Sequence, residues 1–180
     1  IGNLDDISKR ALAILGKVDL IATEDTRVTG KLLHHYKIKN KLFCYNDFNE
    51  NSKYEYLLQL INNNNDVALV SDAGTPCISD PGYRIVNAAV KSGYKVVAIP
   101  GSCSIIAALS ISGLPTDKFY FEGFLPKKKG RQKRLDYLKN IDGTIVIFES
   151  PKRILKTLND IKNILGNRVV SICKEITKIH

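Results

Sequence analysis

The sequence predicts an α/β fold, and three observations carry that expectation. Short apolar runs of strand length recur at Leu20–Ala22, Val67–Val70, Val96–Ile99, Thr144–Phe148 and Val169–Cys173. Segments with apolar residues three and four apart lie between them, as amphipathic helices require. Each run then empties into a knot of small, turn-forming or charged residues, the signature of a strand handing over to a helix.

Taken in order, Asp5 and Asp6 lead into Ile7, Ala11, Ile14 and Leu15 at helical spacing, and Gly16 marks the stop. Strand Leu20–Ala22 is followed by Glu24, Asp25, Thr26 and Arg27, then by a helix through Leu33. Val67–Val70 runs into Ser71–Gly82, which reads SDAGTPCISDPG. Val96–Ile99 runs into Pro100 and Gly101 and a further helix. The turn-rich stretch Gly113–Asp117 marks a domain boundary, giving lobes at 1–116 and 117–180, and the chain restarts at Phe119, Tyr120 and Phe121. Thr144–Phe148 ends at Glu149. A helix over Lys152–Leu165 carries Ile154, Leu155, Leu158, Ile161, Ile164 and Leu165 as a core stripe with Gly166 beyond, and Val169–Cys173 ends at Lys174.

Bulk composition narrows the class. Hydrophobic residues at 44% and charged residues at 25% match folded globular domains, and no apolar stretch approaches a membrane span, so a membrane role is not expected. The net charge of +9 favours polyanionic partners, although a Lys- and Asn-rich chain is basic for other reasons too. Cys44, Cys77, Cys103 and Cys173 show no metal spacing, and the adjacent His34 and His35 point about 100° apart on a helix, so no metal is expected. The chain begins at Ile1 without a signal-peptide layout, which reads as part of a cytoplasmic protein whose first strand lies outside the sequence.

The loop Ser71–Gly82 has the makings of a ligand cradle. Gly74 and Gly82 permit positive φ or close backbone approach, Pro76 and Pro81 stiffen the path, and Asp72 and Asp80 offer acceptors. Ligands of open α/β sheets bind outside the carboxyl ends of the strands, so five strand ends of this kind imply one shared crevice, while ordinary turn chemistry accounts for any single one. Glu24 and Asp25 are candidate proton acceptors and equally candidate helix caps. Arg27 either orients a phosphate or pairs with one of these acids. Lys127, Lys128, Lys129, Arg131, Lys133 and Arg134 place six cations within eight residues. That run suits phosphate contacts and equally a solvated surface loop.

These segments resemble one family: the bacterial small-subunit ribosomal RNA cytidine 2′-O-methyltransferases, a branch of the tetrapyrrole-methylase-like enzymes that use S-adenosylmethionine. The resemblance runs through IGNLDDIS (1–8), EDTR (24–27), ALVSDAGTPCISDPGY (68–83), IPGSCS (99–104), SGLP (112–115), FEGFLPKKKG (121–130), ESPKR (149–153) and KEITK (174–178). The chain departs from the family pattern at Cys77, where glycine is expected, and at Ser102, Cys103 and Ser104, where Pro-Ser-Ala is expected.

The resemblance implies two α/β lobes, each a sheet flanked by helices, with the cofactor in a cleft between them. It places Asp72, Ala73, Gly74, Thr75, Pro76 and Ile78 along the cofactor, Pro100, Gly101, Cys103 and Ser104 as a second wall, and Glu149 and Ser150 reaching it from the other lobe. For the reaction so implied, Glu24, Asp25 and Arg27 are the catalytic candidates and the basic run the RNA-contact candidate, and the implied state is a cytoplasmic homodimer acting on small-subunit ribosomal RNA or the 30S subunit. The alternatives are a precorrin-type tetrapyrrole C-methyltransferase and a non-catalytic RNA-binding assembly factor. A nicotinamide-dependent dehydrogenase lacks its G-x-G-x-x-G after a strand here.

Overall fold

The computed structural model describes residues 1–179. By its contacts the chain divides into one unit of Ile1–Cys103 with the residues from Thr177 onward, and a second of Ser104–Ile176.

The first unit is built on a parallel sheet. Helix α1 (Lys9–Leu15) begins at Ser8, whose hydroxyl accepts the Ala11 N–H at 3.1 Å. It ends at Gly16, which keeps a right-handed helical conformation. Strand β1 (Leu20–Thr23), helix α2 (Thr26–His35), strand β2 (Leu42–Cys44), helix α3 (Glu50–Asn62), strand β3 (Val67–Val70) and helix α4 (Tyr83–Lys91) follow. The strand order is β2-β1-β3, all parallel, with Ile21 beside Leu42 on one side and Ala68 on the other.

Every residue of β1 is buried, as a central strand covered on both faces must be. Alternation divides its side chains between two cores. Leu20 and Ala22 pack with Tyr45, Leu57 of α3 and Ile85 of α4, while Ile21 packs with Leu15 of α1 and Leu33 of α2.

The second unit contains helix α5 (Ser104–Ile111), strand β4 (Phe119–Phe124), helix α6 (Arg131–Leu138), strand β5 (Thr144–Phe148) and helix α7 (Ile154–Leu165). Helix α5 precedes the turn-rich stretch at 113–117 and groups with this unit. Strands β4 and β5 pair in parallel, with the register slipping between Phe121 and Gly123. Glu122 is the extra residue of this bulge, and Gly123 takes φ 73°, the left-handed region glycine enters without penalty. Leu125, Leu135, Leu138 and Leu165 form the core, with Ile145 and Ile147 against them.

Three expectations need correction. The runs Val96–Ile99 and Val169–Cys173 form no strands, and residues 94–103 and 168–174 are irregular. β-Branched residues make a strand only where a neighbour accepts and donates the ladder hydrogen bonds, and neither sheet includes these segments. Val97 is accordingly 50% exposed and Val169 83% exposed. On α7 the apolar stripe excludes Leu155, which is 75% exposed, because the buried face turns through Thr157 and Leu165 instead. No helix among the described residues is long and apolar enough to cross a membrane.

Candidate functional site

At the carboxyl end of β1 the chain turns sharply into α2. The buried Thr23 hydroxyl meets the buried Thr29 hydroxyl at 2.5 Å, tying the strand end to the first turns of the helix. Asp25 is the N-cap: its Oδ1 accepts the Arg27 N–H at 2.8 Å. The Arg27 guanidinium grips the same carboxylate at 2.6–3.1 Å while remaining 86% exposed. Those hydrogen bonds from Arg27 hold the Asp25 carboxyl down at about 2. Asp25 and Arg27 are thus occupied with each other and with the helix terminus.

Glu24 points elsewhere. Its Oε2 accepts the Asp72 N–H at 3.0 Å, and Asp72 Oδ1 in return accepts the Asp25 N–H at 3.2 Å. Two reciprocal bonds therefore join the loop after β1 to the loop after β3. Among the sequence-expected residues, this brings Glu24, Asp25, Arg27 and Asp72 together.

The β3–α4 loop is tightly folded. Gly74 has φ 88°, Gly82 has φ 134°, and Cys77 and Ser79 also sit at positive φ, 70° and 60°. A Cβ on Gly82 would lie 2.5 Å from Leu69 Cδ2 and 2.8 Å from Cys77 Sγ, so glycine is required there by space as well as by φ. At Cys77 the left-handed conformation explains why glycine is the expected occupant; a cysteine tolerates it at a cost of roughly 1 kcal/mol. The Cys77 N–H donates to the Pro81 carbonyl at 3.3 Å and the Ile78 N–H to Thr75 at 3.4 Å, closing the loop on itself. Ala73, Gly74, Thr75 and Ile78 are exposed and Pro76 is half-buried.

The segment 100–103 lies alongside this loop, since a Cβ built on Gly74 would stand 4.0 Å from the Ser102 carbonyl oxygen. Ser102 Oγ in turn donates to the Asp6 carbonyl at 3.2 Å. Pro100 and Gly101 are exposed, and a Cβ on Gly101 would meet nothing within 4 Å. The open backbone at Gly74 and Gly101, with acidic acceptors beside it, fits a cationic nucleoside held through main-chain groups.

The acids form one electrostatic group. Burial and then the Glu24 carboxylate push the Asp80 carboxyl up to about 6, a hydrogen bond from Ser71 opposing and Asp47 and Asp72 adding to the rise. Among the described residues no group of three or more His, Cys, Asp or Glu is arranged to hold a metal ion.

In the second unit Glu149 follows β5 with only 4% of its side chain exposed. Its Oε1 accepts the Ser150 N–H and the Arg153 guanidinium at 2.6–2.7 Å, and its Oε2 accepts the Thr157 hydroxyl at 2.7 Å. Burial opposes this charge, but the bonds from Thr157, Ser150 and Arg153 outweigh it and hold the carboxyl below its ordinary value. Both carboxylate oxygens and the main-chain N–H and carbonyl of Ser150 are therefore committed within the unit. Ser104 opens α5 in the same unit.

The basic run is not six equivalent cations. Arg131 is only 8% exposed; it donates to Asp160 at 2.8 Å, to the Pro126 carbonyl at 3.1 Å and to Thr157 at 2.8 Å. Arg134 pairs with the buried Glu122 at 2.5 Å, donates to the Tyr120 hydroxyl and lies over the Tyr137 ring. Both belong to the unit's interior bonding, whereas Lys127, Lys128, Lys129 and Lys133 are exposed. Charge patterning alone gives all six the same appearance; the distinction depends on which carboxylates the fold brings near. Arg131 and Arg134, expected with the lysines to contact RNA, are thus engaged with carboxylates of their own unit.

The loop between β2 and α3 carries no expected site residue, yet it leaves the same end of the sheet. Its sequence signal is the spacing of Asn46 and Asn49, which close the turn before α3: Asn49 Oδ1 accepts the Asn46 N–H at 2.9 Å.

Because the fold raises the Asp80 carboxyl above its unfolded value of about 3.9, it favours the protonated form. The associated stability is complete below that unfolded value and is lost as pH rises through about 6. Asp80→Asn is expected to melt a few degrees above the parent protein at pH 7 and level with it at pH 4, in thermal scans at both pH values. An equal gap at both would contradict this assignment.

The profile of the tetrapyrrole (corrin/porphyrin) methylases matches residues 1–180. A Vibrio cholerae protein named ribosomal RNA small subunit methyltransferase I is 50% identical over 180 residues, covering 99% of this chain and 62% of that protein. Its Thermotoga maritima namesake is 48% identical over 100% of this chain and 81% of its own length, and one from Escherichia coli O157:H7 is 49% identical over 99% and 63%. The chain thus spans under two thirds of the length of the Vibrio and Escherichia relatives. The crystal structure of a cobalamin biosynthetic enzyme, cobalt precorrin-4 methyltransferase, superposes with a TM-score of 0.63 over 91% of this chain and 71% of that one, at 18% identity, and so shares the fold. The parallel α/β architecture and the match along the whole sequence agree: the chain belongs to the tetrapyrrole (corrin/porphyrin) methylase family.

Proposed function

We propose that this chain belongs to an S-adenosylmethionine-dependent methyltransferase that methylates a cytidine ribose 2′-hydroxyl in small-subunit ribosomal RNA. It acts as a cytoplasmic homodimer with lobes at 1–116 and 117–180, on ribosomal RNA or the 30S subunit. The choice of RNA over a tetrapyrrole rests on the names of relatives about half identical along the chain. The observation that carries the chemistry is the Glu24 carboxylate, held by the Asp72 N–H where the β1 and β3 loops meet.

When bound, S-adenosylmethionine supplies an electrophilic methyl group on a positively charged sulfur. Asp72, Ala73, Gly74, Thr75, Pro76, Ile78, Pro100, Gly101 and Cys103 of the first unit and Ser104, Glu149 and Ser150 of the second would hold it. Small residues at 73, 74 and 101 let the backbone approach closely, and the surrounding acids favour a cation. Glu24 accepts the proton of the ribose hydroxyl, a poor nucleophile while it keeps that proton. Asp25 and Arg27 fix the turn that presents Glu24. Lys127, Lys128, Lys129 and Lys133 take RNA phosphates at the start of α6, whose N-cap Gly130 offers no side-chain cap to the helix N–H groups.

Glu24→Gln is expected to bind S-adenosylmethionine as the parent does, by calorimetry, and to transfer labelled methyl groups to small ribosomal subunits about 10²- to 10⁴-fold more slowly. Unchanged turnover would remove Glu24 from the base role, and transfer to a porphyrinogen instead of RNA would remove the substrate assignment. Replacing Lys127, Lys128 and Lys129 by Gln is expected to weaken RNA binding and flatten the slope of log affinity against log salt by roughly 2 to 3. An unaltered slope would show that these lysines meet no phosphates.

A further inference from the structure

Phe48 is 98% exposed, so its ring buries almost nothing within the chain. The loop that carries it is nevertheless closely bonded. The Phe48 N–H donates to Asn46 Oδ1 at 3.2 Å, the Asn49 and Glu50 N–H groups donate to the Asn46 carbonyl at 3.0 and 2.8 Å, and Lys53 Nζ donates to the Cys44 carbonyl at 3.0 Å. An apolar ring fixed in water by a tight turn has lost the freedom that a mobile loop would keep.

Its location gives that exposure meaning. Cys44, at the end of β2, donates its thiol to the Glu24 carbonyl at 3.4 Å, so the Phe48 loop begins beside the proposed proton acceptor. Glu50, two residues beyond Phe48, pairs with Arg84 at 3.3 Å, next to the 70% exposed Tyr83. Two exposed aromatic residues therefore flank one ion pair at the carboxyl end of the sheet. The nearby carboxylates of Glu24, Asp47, Asp72 and Asp80 disfavour a phosphate here, which leaves an uncharged planar group as the partner that an aromatic face accepts.

We propose that Phe48 is a stacking platform for an unpaired RNA base, holding the target nucleotide at the loop that bears Glu24; this rests on the RNA methyltransferase reading above. Base–aromatic stacking tolerates any base, so Phe48 positions the nucleotide without choosing it.

The chain contains no tryptophan and eight tyrosines, so Phe48→Trp places a lone tryptophan, excited selectively beyond the tyrosine absorption band, at the proposed contact. Titrating that variant with small-subunit ribosomal RNA is expected to quench its emission saturably, while S-adenosylmethionine alone leaves it unchanged. Phe48→Ala is expected to lower kcat/KM for methylation about 10-fold or more, chiefly through KM, with Phe48→Trp restoring it and the melting temperature unmoved. Full activity of Phe48→Ala, emission unresponsive to bound RNA, quenching by the cofactor alone, or a dimer that falls apart in Phe48→Ala would each overturn the stacking contact. If the parent protein does not methylate this RNA, the functional reading fails and the proposal with it. A parent that methylates alongside an equally active Phe48→Ala removes the platform only.

Discussion

The first unit turns on a pair of hydrogen bonds between loops that lie 47 and 48 residues apart in sequence. Parallel strands bring their carboxyl ends to one edge, but they do not by themselves fix how successive loops face one another. Here the Asp72 N–H closes on Glu24 and the Asp25 N–H closes on Asp72, so each loop supplies both a donor and an acceptor. A carboxylate held by a main-chain N–H has a defined direction. That defined direction is what general-base chemistry on a weak nucleophile needs. The neighbouring Thr23–Thr29 contact and the Asp25 cap keep the strand end and α2 from shifting beneath it.

The second unit addresses a different problem, how to keep charge inside a small core. Glu149, Thr157, Arg131 and Asp160 form a continuous chain of bonds from the end of β5 to the start of α6, and Arg131 also holds the Pro126 carbonyl. Each buried charge has an opposite partner, as low-dielectric surroundings demand. The exposed lysines of residues 127–129 therefore sit on a loop anchored from below by an arginine that looks, in sequence, like one more of the same run. Removing Arg131 would take its partner from the half-buried Asp160 carboxylate and loosen the loop together, so its role differs from that of its neighbours.

Much of this architecture was legible in the residues. The runs at β1, β3 and β5 stand out by their apolar composition, and α1 and α7 by their period and by the terminating Gly16 and Gly166. The charged knot Glu24–Arg27 announced itself too. What spacing left open was the division of labour: both Glu24 and Asp25 suit a cap, and only the fold decides, by giving Asp25 the Arg27 N–H and Glu24 the Asp72 N–H. The runs at 96–99 and 169–173 have strand composition without a pairing neighbour in either sheet, a property that no local pattern reports. Strand β2 is three residues long and its loop is rich in Asn, so nothing local marks Phe48 as almost fully exposed. Exposure is a property of the fold, and a Phe in sequence reads as core.

The most direct test concerns the Asp72 amide itself. In a proton–nitrogen spectrum its resonance is expected to exchange slowly with solvent, and Glu24→Ala is expected to move it and to speed that exchange while the fold is retained. An Asp72 amide signal indifferent to the Glu24 substitution would contradict the account, because the two loops would then meet without the bond that aims the carboxylate.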